Sequence, residues 1–249
     1  MGITHMATEA LIFRIFGILV GIGLGLFSFS MLKATKGATK GWLFFSLAGG
    51  AFFFWTALQS IFTLTDIYLG RVITSIIFMP GTILLVMGAA RLVEDFGIDK
   101  PKWISAKNFL IINIVIIVAL AAGLLMFNND IFQVLLTTVI VDSMLANIMG
   151  AIAVIYLLRA TGKGIWLGML IFMITFGLGQ GFCVYAGNCC TGELADSPVC
   201  EDYTLDYTNV FNLPCSIMLT KISMVGYNLM ALGGLILLGN FFFLWRKLA

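Results

Sequence analysis

Residues 10–32 read ALIFRIFGILVGIGLGLFSFSML, a stretch that carries a single charge, Arg14. A helix needs about 20 such residues, at about 1.5 Å each, to cross a hydrocarbon core of about 30 Å. The stretch exceeds a signal-peptide core and lacks both a basic leader and a small-residue cleavage site, so it reads as a retained span. Six more stretches of the same kind follow, at about 41–64, 70–92, 107–127, 132–158, 164–186 and 215–244. The expected fold is an all-α integral membrane protein, a single domain over 1–249 built as a bundle of seven transmembrane helices. Its connections are short except for two, Arg91 to Lys107 and Gly187 to Pro214.

Composition leads to the same solvent. The 249 residues are 61% hydrophobic and 10% charged, where soluble domains carry roughly 25% charge. The net charge of +2 is small and its cations are spread over several loops, so the chain presents no basic surface of the kind that holds nucleic acid.

Those cations set an orientation. Lys33, Lys36 and Lys40 follow the first span, Arg91, Lys100, Lys102 and Lys107 the third, Arg159 and Lys163 the fifth, and Arg246 and Lys247 the last. All fall on one side of a seven-span bundle, and basic loops stay cytoplasmic. The other side holds Glu9, Asp66, Asp130 and the acids of the loop before the last span, with Arg71 as its boundary cation. The N-terminus is therefore expected outside and the C-terminus in the cytoplasm, most naturally in the plasma membrane. Trp42, Trp166 and Trp245 fall at the cytoplasmic helix ends of this arrangement and Trp103 in a cytoplasmic loop, as an interfacial aromatic belt requires.

Gly17, Gly21 and Gly25 form a small-residue stripe at i, i+4, i+8, which predicts close packing inside the bundle, with a homodimer seam as the alternative. Pro80, in the third span, removes a backbone donor and predicts a kink. The third and fourth spans do not echo the sixth and seventh, so a transporter of two inverted halves is not expected.

All five cysteines lie between Cys183 and Cys215, on the expected outer side. Cysteines confined to an oxidising compartment read as a disulfide framework. Cys189 and Cys190 would form a strained ring with each other, so Cys189, Cys190, Cys200 and Cys215 are the expected bridge partners, with Cys183 left as a thiol. The spacing lacks paired Cys-x-x-Cys, which argues against a zinc site. The same loop, at about 187–214, carries Glu193, Asp196, Glu201, Asp202 and Asp206 among Tyr203 and Tyr207, an acidic, cross-linked cap that suits a ligand or partner.

Three ionisable residues fall inside the spans: Arg14, Asp142 and Lys221. Arg14 and Lys221 lie near the outer ends, where long side chains reach the headgroups. Asp142 lies about 16 Å below the start of its span, too deep for a short side chain to reach water. It needs a cation, a proton or a wet cavity. Thr138 stands one turn above it, and Ser143 and Asn147 make a second polar pair. The expected intramembrane polar centre combines Asp142, Lys221, Arg14, Asn147, Tyr227 and Asn228, with Gln59 nearby. A buried ion pair that only fixes helix packing is the alternative.

His5 is the only histidine and lies in the outer tail, so haem and histidine–metal sites within the membrane are not expected. No GxSxG, Walker or HExxH pattern occurs, and Glu94 and Asp95 beside Arg91 read as an interfacial charge cluster. Neither enzyme activity nor a cofactor is expected. Length, span number and orientation resemble the microbial rhodopsins, as does the spacing from Arg71 to Pro80. That family carries a retinal-binding lysine near the middle of its last helix with an acid one turn before it. Here Lys221 is near the outer end, Ile217 stands where the acid would be, and the counter-ion position falls on Thr74. The resemblance therefore implies a helix arrangement and no cofactor.

The resulting expectation is a non-enzymatic membrane protein that senses or binds a ligand or partner at its extracytoplasmic face. The alternatives are an accessory subunit of a larger membrane complex and a small ion or proton transporter that uses Asp142. The expected partners are membrane lipid and a membrane-protein partner or a second copy of the chain, with no nucleic acid.

Overall fold

Hydrocarbon offers no water to a backbone, so each spanning segment must satisfy its own N–H and C=O groups, as an α-helix does. The computed structural model describes residues 8–64, 68–126, 131–187 and 217–248, and each apolar stretch in it is a helix. They are α1 (Thr8–Ala34), α2 (Gly41–Leu64), α3 (Tyr68–Asp95), α4 (Ala106–Leu125), α5 (Ile131–Thr161), α6 (Gly164–Gly187) and α7 (Ile217–Leu248), with no strand among the described residues. Six of them, α1 to α6, contain a segment long and apolar enough to cross a membrane, and α7 contains the shorter apolar segment Asn228–Phe243. The chain is a multi-pass membrane protein.

Helix limits follow the sequence expectation within a few residues, and α3, α5 and α7 run on past their apolar stretches to Asp95, Thr161 and Leu248. Arg91 is thus a helical residue and not a loop residue. Its guanidinium reaches Glu94 and Asp95, both at 3.0 Å, and Lys100 returns to Glu94 at 3.5 Å. These i,i+3 and i,i+4 pairs prolong the last turn beyond the apolar stretch. Asp95 also accepts the backbone N–H of Gly41 at 2.9 Å, so the end of α3 satisfies the first donor of α2.

The chain turns are tight at this basic end of the bundle. Gly37, Gly97 and Gly162 adopt positive φ just past the ends of α1, α3 and α5, and each sends its N–H back to a helix carbonyl. Ser105 caps α4 by accepting the N–H of Asn108.

The helices close into a ring in which α1 meets α2, α2 meets α3, α3 meets α5, α5 meets α6, α6 meets α7 and α7 returns to α1. Because α3 and α5 touch directly, α4 lies outside the ring against both. Its composition fits the place: only Ala106, Phe109, Asn113 and Leu124 are buried, while Ile114, Val115 and Val118 face outward. In lipid an exposed apolar side chain is solvated, so a helix with one narrow contact stripe is stable there.

The glycine stripe of α1 is the α1–α2 interface. A Cβ on Gly21 would lie 2.5 Å from the backbone nitrogen of Phe53, and one on Gly49 would lie 2.4 Å from that of Gly25. The two backbones are close enough for Ser46 to donate to the carbonyl of Gly25 at 3.2 Å. Pro80 lies within a helix that continues to Asp95, and Thr82 donates to the carbonyl of Met79 beside it.

The tryptophan belt differs from expectation. Trp42 and Trp166 begin α2 and α6 but are only 3% exposed, and their rings stack on each other with centroids 5.9 Å apart. Phe27 packs edge-on against Trp42 and flat against Phe241. These rings close the basic end of the core instead of anchoring in headgroups, because the tight turns at that end bring α1, α2, α6 and α7 together around them. Trp103 is exposed, at 44%, and the side chain of Trp245 lies outside the described set.

Candidate functional site

A polar side chain in a membrane span finds partners on a neighbouring helix or in its own backbone. On α5, Ser143 and Asn147 are one turn apart and both fully buried. Across from them on α6 is Gln180, 5% exposed. Ser143 Oγ donates to Gln180 Oε1 at 3.0 Å, and Gln180 Nε2 donates to Ser143 Oγ at 2.8 Å. Asn147 Nδ2 reaches Gln180 Oε1 at 3.3 Å and the carbonyl of Ser143 at 2.8 Å.

Glycines on α6 make this contact possible. A Cβ on Gly177 would meet Asn147 at 3.2 Å and one on Gly181 would meet the sulfur of Met144 at 3.0 Å. Gly179, between them, faces the other neighbour, where a Cβ would lie 2.6 Å from the carbonyl oxygen of Gly226. The alternation lets α6 approach α5 and α7 at once and sets Gln180 against α5. The signal for Gln180 in the sequence is a lone amide amid the glycine cluster of the sixth span.

Asp142, next to Ser143, is wholly buried. Neither of its carboxyl oxygens has a hydrogen-bond partner, and the same holds for Oγ1 of Thr138, one turn along α5, and Oδ1 of Asn147. Among the described residues no ion pair involves Asp142. A buried carboxyl is the costliest group to leave without partners, and in native proteins nearly all buried polar atoms have one. The seam between α5 and its neighbours thus combines a Ser143–Gln180 pair bonded in both directions with buried acceptor oxygens that have no partner.

A second polar layer lies between α2 and α3, where buried Thr74 donates to buried Gln59. Arg14, 8% exposed, lies three residues before Gly17, whose Cβ position abuts Thr56, itself three residues before Gln59. Since α1 and α2 are antiparallel neighbours, Arg14 and Gln59 occupy the same depth.

Of the six residues expected to form one centre, the structure brings Asn147 and Asp142 to the same part of α5 and buries Arg14 on α1. Asn228 is exposed on the outer surface of α7. Lys221 and Tyr227 belong to α7, and their side chains lie outside the described set. The loop cysteines Cys189, Cys190, Cys200 and Cys215 and the acids Glu193, Asp196, Glu201, Asp202 and Asp206 also lie outside the described residues. Among those described, no three His, Cys, Asp or Glu side chains gather as a metal site would require.

No protein-family model, curated protein or solved structure matches this chain. A buried acid of this kind has the means to hold a cation or carry a proton.

Proposed function

We propose that the protein is a seven-span, non-enzymatic membrane protein that binds a cationic ligand from its extracytoplasmic side, with Asp142 as the acid that receives it. The carrying observation is the wholly buried carboxyl of Asp142 with both oxygens open. Such groups inside a membrane usually mark a ligand or ion site. The seventh span is supported by the length of α7, 32 residues or about 48 Å of helix. The N-out orientation is supported by the cations clustered at the turns after α1, α3 and α5 and at the end of α7. That orientation puts Asp142 in the half of α5 nearer the acidic, cysteine-bearing loop, where five of the twelve acids raise the local concentration of cations. A plasma-membrane location follows from the same reading, because the cysteines then face an oxidising space.

The test is ligand-induced stabilisation in nanodiscs, with sodium, potassium, calcium, choline and spermidine offered to the wild type and to Asp142→Asn. One of these cations at 100 times its Kd contributes about 2.7 kcal/mol to the folded state. The wild type melts higher with it and the variant does not. Equal responses of the two proteins, or none from the wild type across the panel, defeat the proposal.

A second reading is transport of a proton or small cation through Asp142. It is supported by the buried polar network of Ser143, Asn147 and Gln180, which begins at the residue next to Asp142. Flux into liposomes that is identical for wild type and Asp142→Asn removes it.

A further inference from the structure

At the basic end of the bundle, α1 and α7 leave an apolar groove of about 510 Å³ on the membrane side, lined by Gly23, Leu26, Phe27, Ser30, Leu238 and Phe242. Gly23 lets Leu238 of α7 lie directly against α1, since a Cβ there would be 2.4 Å from its methyl group, and the groove opens beside this contact. The groove runs along two helices of the same direction. Each carries a cation one turn past the last lining residue: Lys33 follows Ser30 by three positions, and Arg246 follows Phe242 by four, spacings that keep each on the groove side of its helix. Both cations are exposed, and Lys33 is held over the ring of Phe29 with Nζ 4.8 Å from the centroid. Since Phe27 stacks on Phe241 across the seam, the two cations also stand at matching depth. No described acid pairs with either.

We infer that this groove is a binding site for one anionic phospholipid of the surrounding leaflet, an acyl chain lying along Gly23 and Leu238 and the phosphate between Lys33 and Arg246. An apolar furrow in lipid fills with a hydrocarbon chain in any case. What selects an anionic lipid over a zwitterionic one is the cation pair at its mouth, with Lys36 and Lys40 in the adjoining turn. A zwitterionic headgroup gains less there, because its own ammonium faces the same two cations.

The experiment is native mass spectrometry of the full chain from micelles containing equimolar dioleoyl phosphatidylglycerol and dioleoyl phosphatidylcholine. The wild type retains one phosphatidylglycerol in preference. Each basic residue near an anionic lipid contributes roughly five-fold, so Lys33→Gln with Arg246→Gln lowers that retention roughly 30-fold. Ser30 is exposed, so Ser30→Phe fills the groove without disturbing the core and displaces the lipid while both cations remain. Equal retention of the two lipids by the wild type overturns the inference. So does loss in the charge variant with full retention in Ser30→Phe, which would mark adsorption to a basic rim only. A dimer that Ser30→Phe dissociates, with no lipid retained, assigns the groove to a second copy instead. Lys102→Gln, in the loop before α4, keeps the wild-type preference.

Discussion

Ser143 and Gln180, 37 positions apart in the chain, exchange hydrogen bonds of 3.0 and 2.8 Å across the α5–α6 interface and are both buried. Next to this satisfied pair stands Asp142, whose oxygens are open. Under the proposed function, the pair holds the helices together and the acid receives the cation.

The pair should behave as a coupled unit. A cycle of Ser143→Ala, Gln180→Leu and the double variant should give a coupling free energy of about 0.6 kcal/mol, and at most about 1.7 kcal/mol, the range found for hydrogen bonds between membrane helices. Denaturant unfolding in mixed micelles measures it. Simple additivity of the two single changes would mean that the bonds contribute nothing to stability.

Asp142 should show the opposite. A buried polar group with no partner costs about 1–3 kcal/mol, so Asp142→Leu should raise the thermal midpoint while the response to cations disappears. Residues kept against stability are expected where function needs them. A lower midpoint would show that the carboxyl supports the fold through a partner of its own.

The α1–α2 contact leaves no room at Gly49, where a Cβ would lie 2.4 Å from the nitrogen of Gly25, whereas Gly50 faces open space. Gly49→Val should destabilise by about 3 kcal/mol or more, through overpacking against backbone that cannot move aside. Gly50→Val should change stability by less than about 1 kcal/mol. Thermal melts of the two purified variants decide the matter, and similar midpoints would contradict the interface.

Asp95 links two helices by accepting the N–H of Gly41 and meeting Arg91. Asp95→Ala should cost about 1–2 kcal/mol, as loss of a helix cap does. Hydrogen exchange should rise first in residues 41–45, at the start of α2. Unchanged protection there would show that water replaces the carboxylate without loss.

The proposed seven-span orientation makes its own prediction. Cysteines introduced at Lys36, Asp99 and Lys163, with the five native cysteines replaced, should react with an impermeant maleimide only after the cells are opened. A cysteine at Asp196 should react in intact cells. Labelling of all four positions in intact cells would rule out the charge-based orientation.

Local chemistry made the helices legible. Each span is a continuous apolar run, and hydrocarbon leaves such a run no conformation but the helix. Residues 41–64 were therefore readable to the residue, while α3 outran its apolar stretch because Arg91 paired with Glu94 and Asp95. The depth of Asp142 was readable for the same reason, since position along a helix is only a matter of rise per residue.

Which residues meet is a different kind of fact. The apolar pattern does not say which side of a span turns inward, because in lipid both sides are apolar. That α4 lies outside the ring, that Trp42 and Trp166 stack in the core instead of facing headgroups, and that Gln180 is the partner of Ser143 and Asn147 all depend on helix rotation. Rotation is set by glycines and by amide partners on other segments. The stretch at residues 10–32 established by itself that the protein lives in a membrane, and only the packing of α1 on α2 decided that its glycines face a neighbouring helix of the same chain.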